Sequence, residues 1–339
     1  MKGELILYDI REASRFDWEL ELGKSNNINM LQSWQYGDAK ENSSKWKAIR
    51  FLVTKDGEVV GLVQLLTLTL PFLGGVARLN RGPIIKNIVD EKSSEHEKLE
   101  ILRILLKEAK KRRWWVMFVA PEIKYSKHAQ NELNNIGFMD HTSIAYGSGK
   151  LNLEIDESKL LMNLKKKWRY YLRKGMDANI DFAFVDKLDL NDIIKRYENL
   201  QQKNNFLGFT NNLINELVDQ KDDNWEFIAF TAKKSSSDGL EDLLGLVVII
   251  KHYDTSTYLI GITNEEGRKL CVNYALLWKA IIFTKDNNCQ WFDIGGLDES
   301  TPEGIAHFKR GLNSNLYSLV GEWRYYLIPW IPSVLKNSL

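Results

Sequence analysis

The same succession of elements is written twice in this 339-residue chain. Residues 49–120 read as a strand, "IRFLVTK", a turn, a strand, "VVGLVQLLTLTL", a second turn at "PFLGG", and a third strand, "VARLNRGPII", followed by a helix and the strand "WWVMFVA". The helix, "SSEHEKLEILRILLKEAKKRR", opens on capping residues, closes on cations and aligns Leu99, Leu102, Leu105 and Leu106 along one face. From residue 226 the order returns as "EFIAFTAK", "LLGLVVIIKHY", "YLIGITN", the helix "LCVNYALLWKAIIFTKDN" and the strand "QWFDIGG". Gly61 and Gly245 hold matching places in the two copies, so one fold is present twice with little identity left between the copies.

A helical entry, an antiparallel meander, then a helix returning to a strand is the order of an N-acetyltransferase-like domain. The fold class expected is therefore α/β (α+β), two tandem domains of this kind, each a mixed, mostly antiparallel sheet flanked by helices. The boundary is placed so that 1–152 form the first domain and 153–339 the second. "SIAYGSGKLNLEID" reads as a crossing strand, "ESKLLMNLKKKWRYYLRKGMDAN" as one basic helix opening the second half, and "LNDIIKRYENLQQKNN" as a second helix. The apolar segment 59–79 approaches membrane-span length but holds Gln64, Pro71 and the Gly74-Gly75 turn, so two buried strands are expected there.

Lysine and arginine total 46 against 45 acidic residues, which leaves no global field to draw the protein to nucleic acid or an anionic membrane. Any such contact must come from a local patch. Two cysteines, Cys271 and Cys289, make neither a metal cage nor a disulfide framework, so no metal is expected and a reducing cytoplasm fits. The N-terminus lacks a signal-peptide pattern. The C-terminal run "WRYYLIPWIPSVL" either closes the second sheet or grazes a membrane from its cytoplasmic side.

Three segments together resemble the FemA, FemB and FemX peptidoglycan-bridge aminoacyltransferases: "LQSWQYGDAK" (31–40), "LNRGPII" (79–85) and "FDIGG" followed by "GIAHFKRG". Their order covers nearly the whole chain, and no segment corresponds to the helical arm of some members. The resemblance implies transfer of an aminoacyl group from aminoacyl-tRNA, a co-substrate and not a bound cofactor, to an amine of a cell-wall or glycan precursor, free or lipid-linked.

The resemblance also carries the family's Phe-Lys pair onto Phe308 and Lys309. Acyl transfer passes through a tetrahedral oxyanion that a cation or fixed N–H donors must meet, and Lys309, past a glycine turn, suits that role. Phe308 then walls the acyl site or stacks on the terminal ribose or base. Asp293 either accepts a proton from the attacking amine or caps the Gly295-Gly296 turn. Arg81 either grips a phosphate or carboxylate or forms a structural ion pair. Tyr258 matches a precursor-contacting strand tyrosine of the family, or is core. In the entry motif, Gln32, Trp34, Tyr36 and Lys40 lie on one turn-rich helical entry, where Trp34 reads as packing and Lys40 as a candidate phosphate ligand. Lys203 stands, before Phe206-Leu207, where members acting on nucleotide-linked muramyl peptide have an arginine ahead of Phe-Tyr, which puts that acceptor in doubt.

For the donor, neither half has the paired glycines that cradle a coenzyme A pyrophosphate. A tRNA acceptor end needs a basic track, and Lys165, Lys166, Lys167, Arg169, Arg173 and Lys174, interleaved with Trp168, Tyr170 and Tyr171, supply one. "KEAKKRR" (107–113) is a second basic run, read as a solvated helix end. Three readings stay open at this point: a tRNA-dependent aminoacyltransferase, an acyl-CoA-dependent N-acyltransferase on an amino sugar, and a non-catalytic binding protein of the same fold.

Overall fold

The computed structural model describes residues 7–25, 28–70, 74–86, 90–141, 145–185, 190–204, 208–220, 222–235 and 241–327. The chain divides into two compact units, 147–316 and a first unit that joins the N-terminal residues through Tyr146 to the segment from Tyr317 onward. Each unit is built on one mixed sheet flanked by helices, the architecture the twice-written order leads one to expect.

In the first unit the sheet runs Tyr8–Glu12, Lys47–Lys55, Glu58–Leu70, Gly74–Asn80, Trp114–Ala120, Trp323–Tyr326, Met139–Asp140, with Ile84–Ile85 paired to Glu58–Leu70. Segment 59–79 is thus two sheet strands, and among the described residues no helix is long and apolar enough to cross a membrane. The helix Glu91–Lys111 buries Leu99, Leu102, Leu105 and Leu106 against Phe51, Val63, Leu65 and Leu79. Its basic end is neutralised locally: Glu108 pairs with Arg112 and Lys111, and Arg112 also reaches Glu12.

The second sheet runs Asn315–Ser318, the strand in which the division between the units falls, then Gly147–Asn152, Trp291–Asp293, Thr255–Thr263, Glu241–His252, Trp225–Ser235, Asp181–Val185. One face is covered by the helices Lys166–Asp177, Val272–Asp286 and Glu303–Arg310 over Phe230, Val247, Ile249 and Phe292. The other is covered by Leu190–Asn204 and Asn211–Asp219 over Ala229, Leu246, Val248 and Ile260.

The matched glycines have one structural cause. In each sheet the strand pair skips a residue immediately before the glycine: Val53 faces Gly61 while Thr54 faces Val59, and Ala232 faces Gly245 while Lys233 faces Leu243. A Cβ on Gly61 would stand 2.5 Å from Ile101 Cδ1, and one on Gly245 would stand 3.0 Å from Leu276 Cδ1. Both bare positions seat the repeat's helix on its sheet next to a bulge.

Three expectations are corrected. The basic segment is two helices, Glu157–Asn163 and Lys166–Asp177, because Leu164 and Lys165 are extended at ψ 145° and Leu164 is buried. The domain division places the segment from Tyr317 onward with the first unit. The C-terminal strand accordingly joins the first sheet, with Trp323 facing Val119 and Tyr326 facing Val116, and so does not close the second. Residues 328–335 of that aromatic run lie outside the described residues.

The copies differ where their parallel strands end. In the first unit Gly74–Asn80 and Trp114–Ala120 stay paired to the last residue, Asn80 facing Ala120, and the Arg81 N–H still donates to Ala120 O at 2.8 Å. Arg81 then turns its guanidinium inward. It forms a two-armed ion pair with Glu122, with Nη2 also donating to the Tyr317 hydroxyl at 2.8 Å, and it lies 4.4 Å from the Tyr146 ring centroid. The fork expected to hold a ligand is therefore spent inside the fold. Burial opposes the charge, but Glu122 holds the Arg81 pKa above its ordinary value. Glu122→Gln should lower the unfolding free energy by about 3 kcal/mol, since it strands a buried guanidinium; urea denaturation of the variant checks this.

Candidate functional site

In the second unit the corresponding parallel pair stops early. Thr255, Ser256 and Thr257 face Trp291, Phe292 and Asp293, and then the strands part. Thr255–Thr263 continues with a bulge, Val248 facing Ile260 while Ile249 faces Tyr258. The other chain turns away at Gly295, whose φ of +71° and Cβ-to-Tyr258 O distance of 2.5 Å demand glycine. Asp293 fixes that turn: its Oδ1 accepts from the Gly295 N–H at 2.9 Å and lies 2.5 Å from the Ser148 hydroxyl. The capping role weighed for Asp293 is thus present in the geometry.

Lys309, in the helix Glu303–Arg310, returns to the turn beyond the end of this ladder. Its Nζ donates to Gly296 O at 2.8 Å and stands 5.3 Å from the Tyr258 ring centroid. Only 9% of the residue is exposed. Burial pushes its pKa down to about 8, against the opposing pull of Asp293 and Asp298. An ammonium has three N–H donors, so two remain for a further acceptor. Burial also raises the Tyr258 phenol, which stays neutral, and its hydroxyl overlies Gly261, where a Cβ would stand 1.8 Å away.

Phe308 lies against Trp168 at 6.0 Å and 28°, and meets Tyr274 edge-on at 4.9 Å. Those neighbours occupy the ring, so of the two roles weighed for Phe308 the packing leaves a wall of the site and not a free face for a ribose or base. The helix end is tied to the break in the basic segment. Trp168 Nε1 donates to Phe308 O at 3.1 Å, the Lys165 N–H to Gly311 O at 3.0 Å, and Asn313 Nδ2 to Asn163 O at 3.1 Å. Gly311 is bare because a Cβ would stand 2.3 Å from Trp168 Cδ1.

The basic helix is therefore two-sided. Trp168 and Leu172 are core, while Lys165, Lys166, Lys167, Arg173 and Lys174 are exposed. Arg169 leaves the expected track, since its Nη1 donates to Met162 O and Leu164 O and closes the preceding helix. Lys203 is exposed at the end of Leu190–Asn204, on the opposite face of the sheet from Lys309. Phe206-Leu207 lie outside the described residues.

The entry motif of the first unit is mostly scaffold. Gln32 is fully buried, its Nε2 donating to Asn80 O at 2.7 Å and Gln64 O at 3.1 Å. The Trp34 ring carries the Arg50 guanidinium at 3.7 Å, and Tyr36 is core, its phenol raised to about 12 by burial. Lys40 differs: it is half-buried, and its ammonium makes no hydrogen bond or ion pair among the described residues. Burial and the nearby Arg78 lower its pKa, the marks of a place suited to an anion.

Ser148 was not foreseen. The signal was the Gly147-Ser148-Gly149 run inside a strand, since glycines there mark close backbone approach: a Cβ on Gly147 would stand 2.5 Å from Leu297 O.

Residues 178–334 match the model of the FemAB family. The chain is FemAB-like. That match contains the FemAB-like Phe308-Lys309 pair and the glycine turn, and the family resemblance read from the sequence holds. A solved structure described as FemX superposes with a TM-score of 0.76 at 17% identity, covering 97% of this chain and all of that one (100%). A tandem GNAT protein from the clavulanic acid biosynthesis pathway gives 0.52 at 10% identity, covering 94% and 98%. L-PGS from Bacillus licheniformis gives 0.52 at 9%, covering 96% of each chain. At these identities the structures show the fold, a tandem GNAT-like scaffold. No curated protein matches the chain in sequence.

Two variants test the site's construction. Lys309→Met removes a charge that burial disfavours. The native state binds fewer protons than the unfolded one between pH 8 and the lysine's ordinary 10.5, so the native charge costs stability at neutral pH. Removing it should raise the unfolding free energy at pH 7 by up to about 3 kcal/mol, less about 1 for the lost hydrogen bond. Trp168→Phe keeps the stack but loses the bond to Phe308 O. It should cost about 1 kcal/mol and displace the Lys309 titration, read by NMR of labelled lysine side chains.

Proposed function

We propose that this protein is an aminoacyltransferase that moves an aminoacyl group from a charged tRNA to an amine of a peptidoglycan or surface-glycan precursor. The observation that carries this reading is the buried, desolvated ammonium of Lys309 beyond the end of the parallel ladder, within the stretch that matches the FemAB family. Burying a lone cation is costly, and a site that keeps one with two unused donors is suited to an anion that forms within it.

In the reaction the free amine attacks the ester carbonyl of the charged RNA. The carbonyl oxygen takes negative charge as the C–N bond forms, and Lys309 is the group to meet it. Collapse of the tetrahedral intermediate breaks the ester C–O bond, and the proton leaving the amine balances the ribose hydroxyl that departs. Asp293 holds the turn that faces Lys309, while Ser148 steadies Asp293. In the first unit Lys40, beside Arg78, fits an anionic group such as a phosphate. The exposed cations of the basic helix fit the RNA backbone. A charged tRNA as donor places the reaction in the cytoplasm.

Two features support RNA over acyl-CoA. The turn before Val272–Asp286 lacks a glycine cradle, and Cys271 there takes φ +61° with its carbonyl packed against Gly175 of the basic helix. A helix backbone thus occupies ground that a pyrophosphate would need.

The test is transfer of labelled amino acid from charged tRNA, or of acetyl from acetyl-CoA, to cell-wall and nucleotide-sugar precursors. Ribonuclease should abolish transfer, and Lys309→Ala should reduce it on the order of 100- to 1,000-fold. Ribonuclease-resistant transfer from acetyl-CoA would overturn the donor, and full activity in the variant would overturn the site. Because Lys309 must be charged, kcat/KM should fall as pH rises through about 8. Lys309→Arg, whose charge persists, should remove that descending limb.

A further inference from the structure

The helix Lys166–Asp177 does more than present scattered charges. Gly175 lets it ride against the Cys271 carbonyl, since a Cβ there would stand 2.6 Å from that oxygen. This close seat leaves an open cleft of about 490 Å³ between its second half and Leu270, lined by Tyr170, Arg173, Lys174, Asp177 and Ala178. The four charged or aromatic residues fall at i, i+3, i+4 and i+7, which is one helical face.

Tyr170 is 59% exposed, although a tyrosine ring has much to gain from burial. Its only ring neighbour among the described residues is Tyr171, edge-on at 5.5 Å, which steadies it and leaves it outside the core. The side chains of Arg173 and Lys174 carry no hydrogen bond or ion pair among the described residues, although Asp177 lies one turn away. Two uncommitted cations beside an uncovered aromatic face, with one carboxylate able to accept from an exocyclic amine, are the elements that hold an unstacked nucleotide.

We propose that this cleft binds one unstacked nucleotide of a single-stranded RNA end, its base on Tyr170 and its phosphate between Arg173 and Lys174. The inference rests on the reading of the donor as a charged RNA and gives that donor a specific foothold. The other face of the same helix holds Phe308 through Trp168, so the element that takes the nucleotide also positions the helix bearing Lys309.

The experiment is fluorescence-anisotropy titration of the full chain with a labelled single-stranded RNA hexamer, at several salt concentrations. Tyr170→Ala should weaken binding about tenfold and Tyr170→Phe should leave it within about twofold, because stacking needs the ring and not the hydroxyl. Arg173→Ala with Lys174→Ala should weaken it and flatten the salt dependence by about 0.7 in log–log slope for each phosphate left without its cation. Tyr170, Arg173 and Lys174 are surface positions, and unchanged thermal melting confirms that these variants fold.

Binding indifferent to Tyr170→Ala, or an unaltered salt slope in the double variant, would overturn the proposal. So would displacement of bound RNA by coenzyme A but not by unlabelled hexamer, which would assign the cleft to the coenzyme. The two readings fail separately. Ribonuclease-resistant transfer with Tyr170-dependent hexamer binding sinks the donor and keeps the cleft, whereas ribonuclease-sensitive transfer unaffected by Tyr170→Ala sinks the cleft alone.

Discussion

The site depends on where one parallel strand pair ends. Hydrogen bonds hold Thr255–Thr257 beside Trp291–Asp293 for three residues, and beyond them the bulge at Tyr258 and the left-handed Gly295 send the strands apart. Where the ladder stops, backbone carbonyls lose their strand partners and something must satisfy them. Lys309 answers one of them, Gly296 O, from a nearly buried position. In the first unit the equivalent pair stays closed over six residue pairs and is then occupied by Arg81 and Glu122. The two units share a scaffold, and the length of one strand pair separates a filled end from an open one.

An open end is useful only if the group within it is held. Three hydrogen bonds from the break between Glu157–Asn163 and Lys166–Asp177 secure the far end of the Lys309 helix, and the stack of Trp168 on Phe308 closes its apolar side. Lys309 is therefore held on a tied-down element. The same basic helix turns its cations outward. One element thus serves the core with Trp168 and Leu172 and faces solvent with Lys166, Lys167, Arg173 and Lys174, a division set by the 3.6-residue period.

How much was legible follows from how local each signal is. The doubled order of elements, the leucine face of Glu91–Lys111 and the matched glycines were readable, because hydrophobic period and turn residues act over a few positions. The Phe-Lys pair and glycine turn were readable as a candidate site through their resemblance to a family. The capping role of Asp293 was one of two readings, and proximity to Gly295 in the chain is what made it visible. Ser148 was missed because 145 residues separate it from the aspartate it touches.

The repeat, the fold class and the position of a cation after a glycine turn all rest on neighbouring residues and could be read from their order alone. Which charges are spent depends on long-range packing. Arg81 and Arg169 look as available in sequence as Lys40 or Lys174, yet Glu122 and two helix-end carbonyls consume the first pair. It also decided that Trp323–Tyr326 completes the first sheet, because strand pairing is a contest between distant edges. And it decided that Phe308 packs while Lys309 faces the opening, since burial is set by what the fold brings from elsewhere: Trp168 and Tyr274 on one side, Tyr258 and Gly296 on the other.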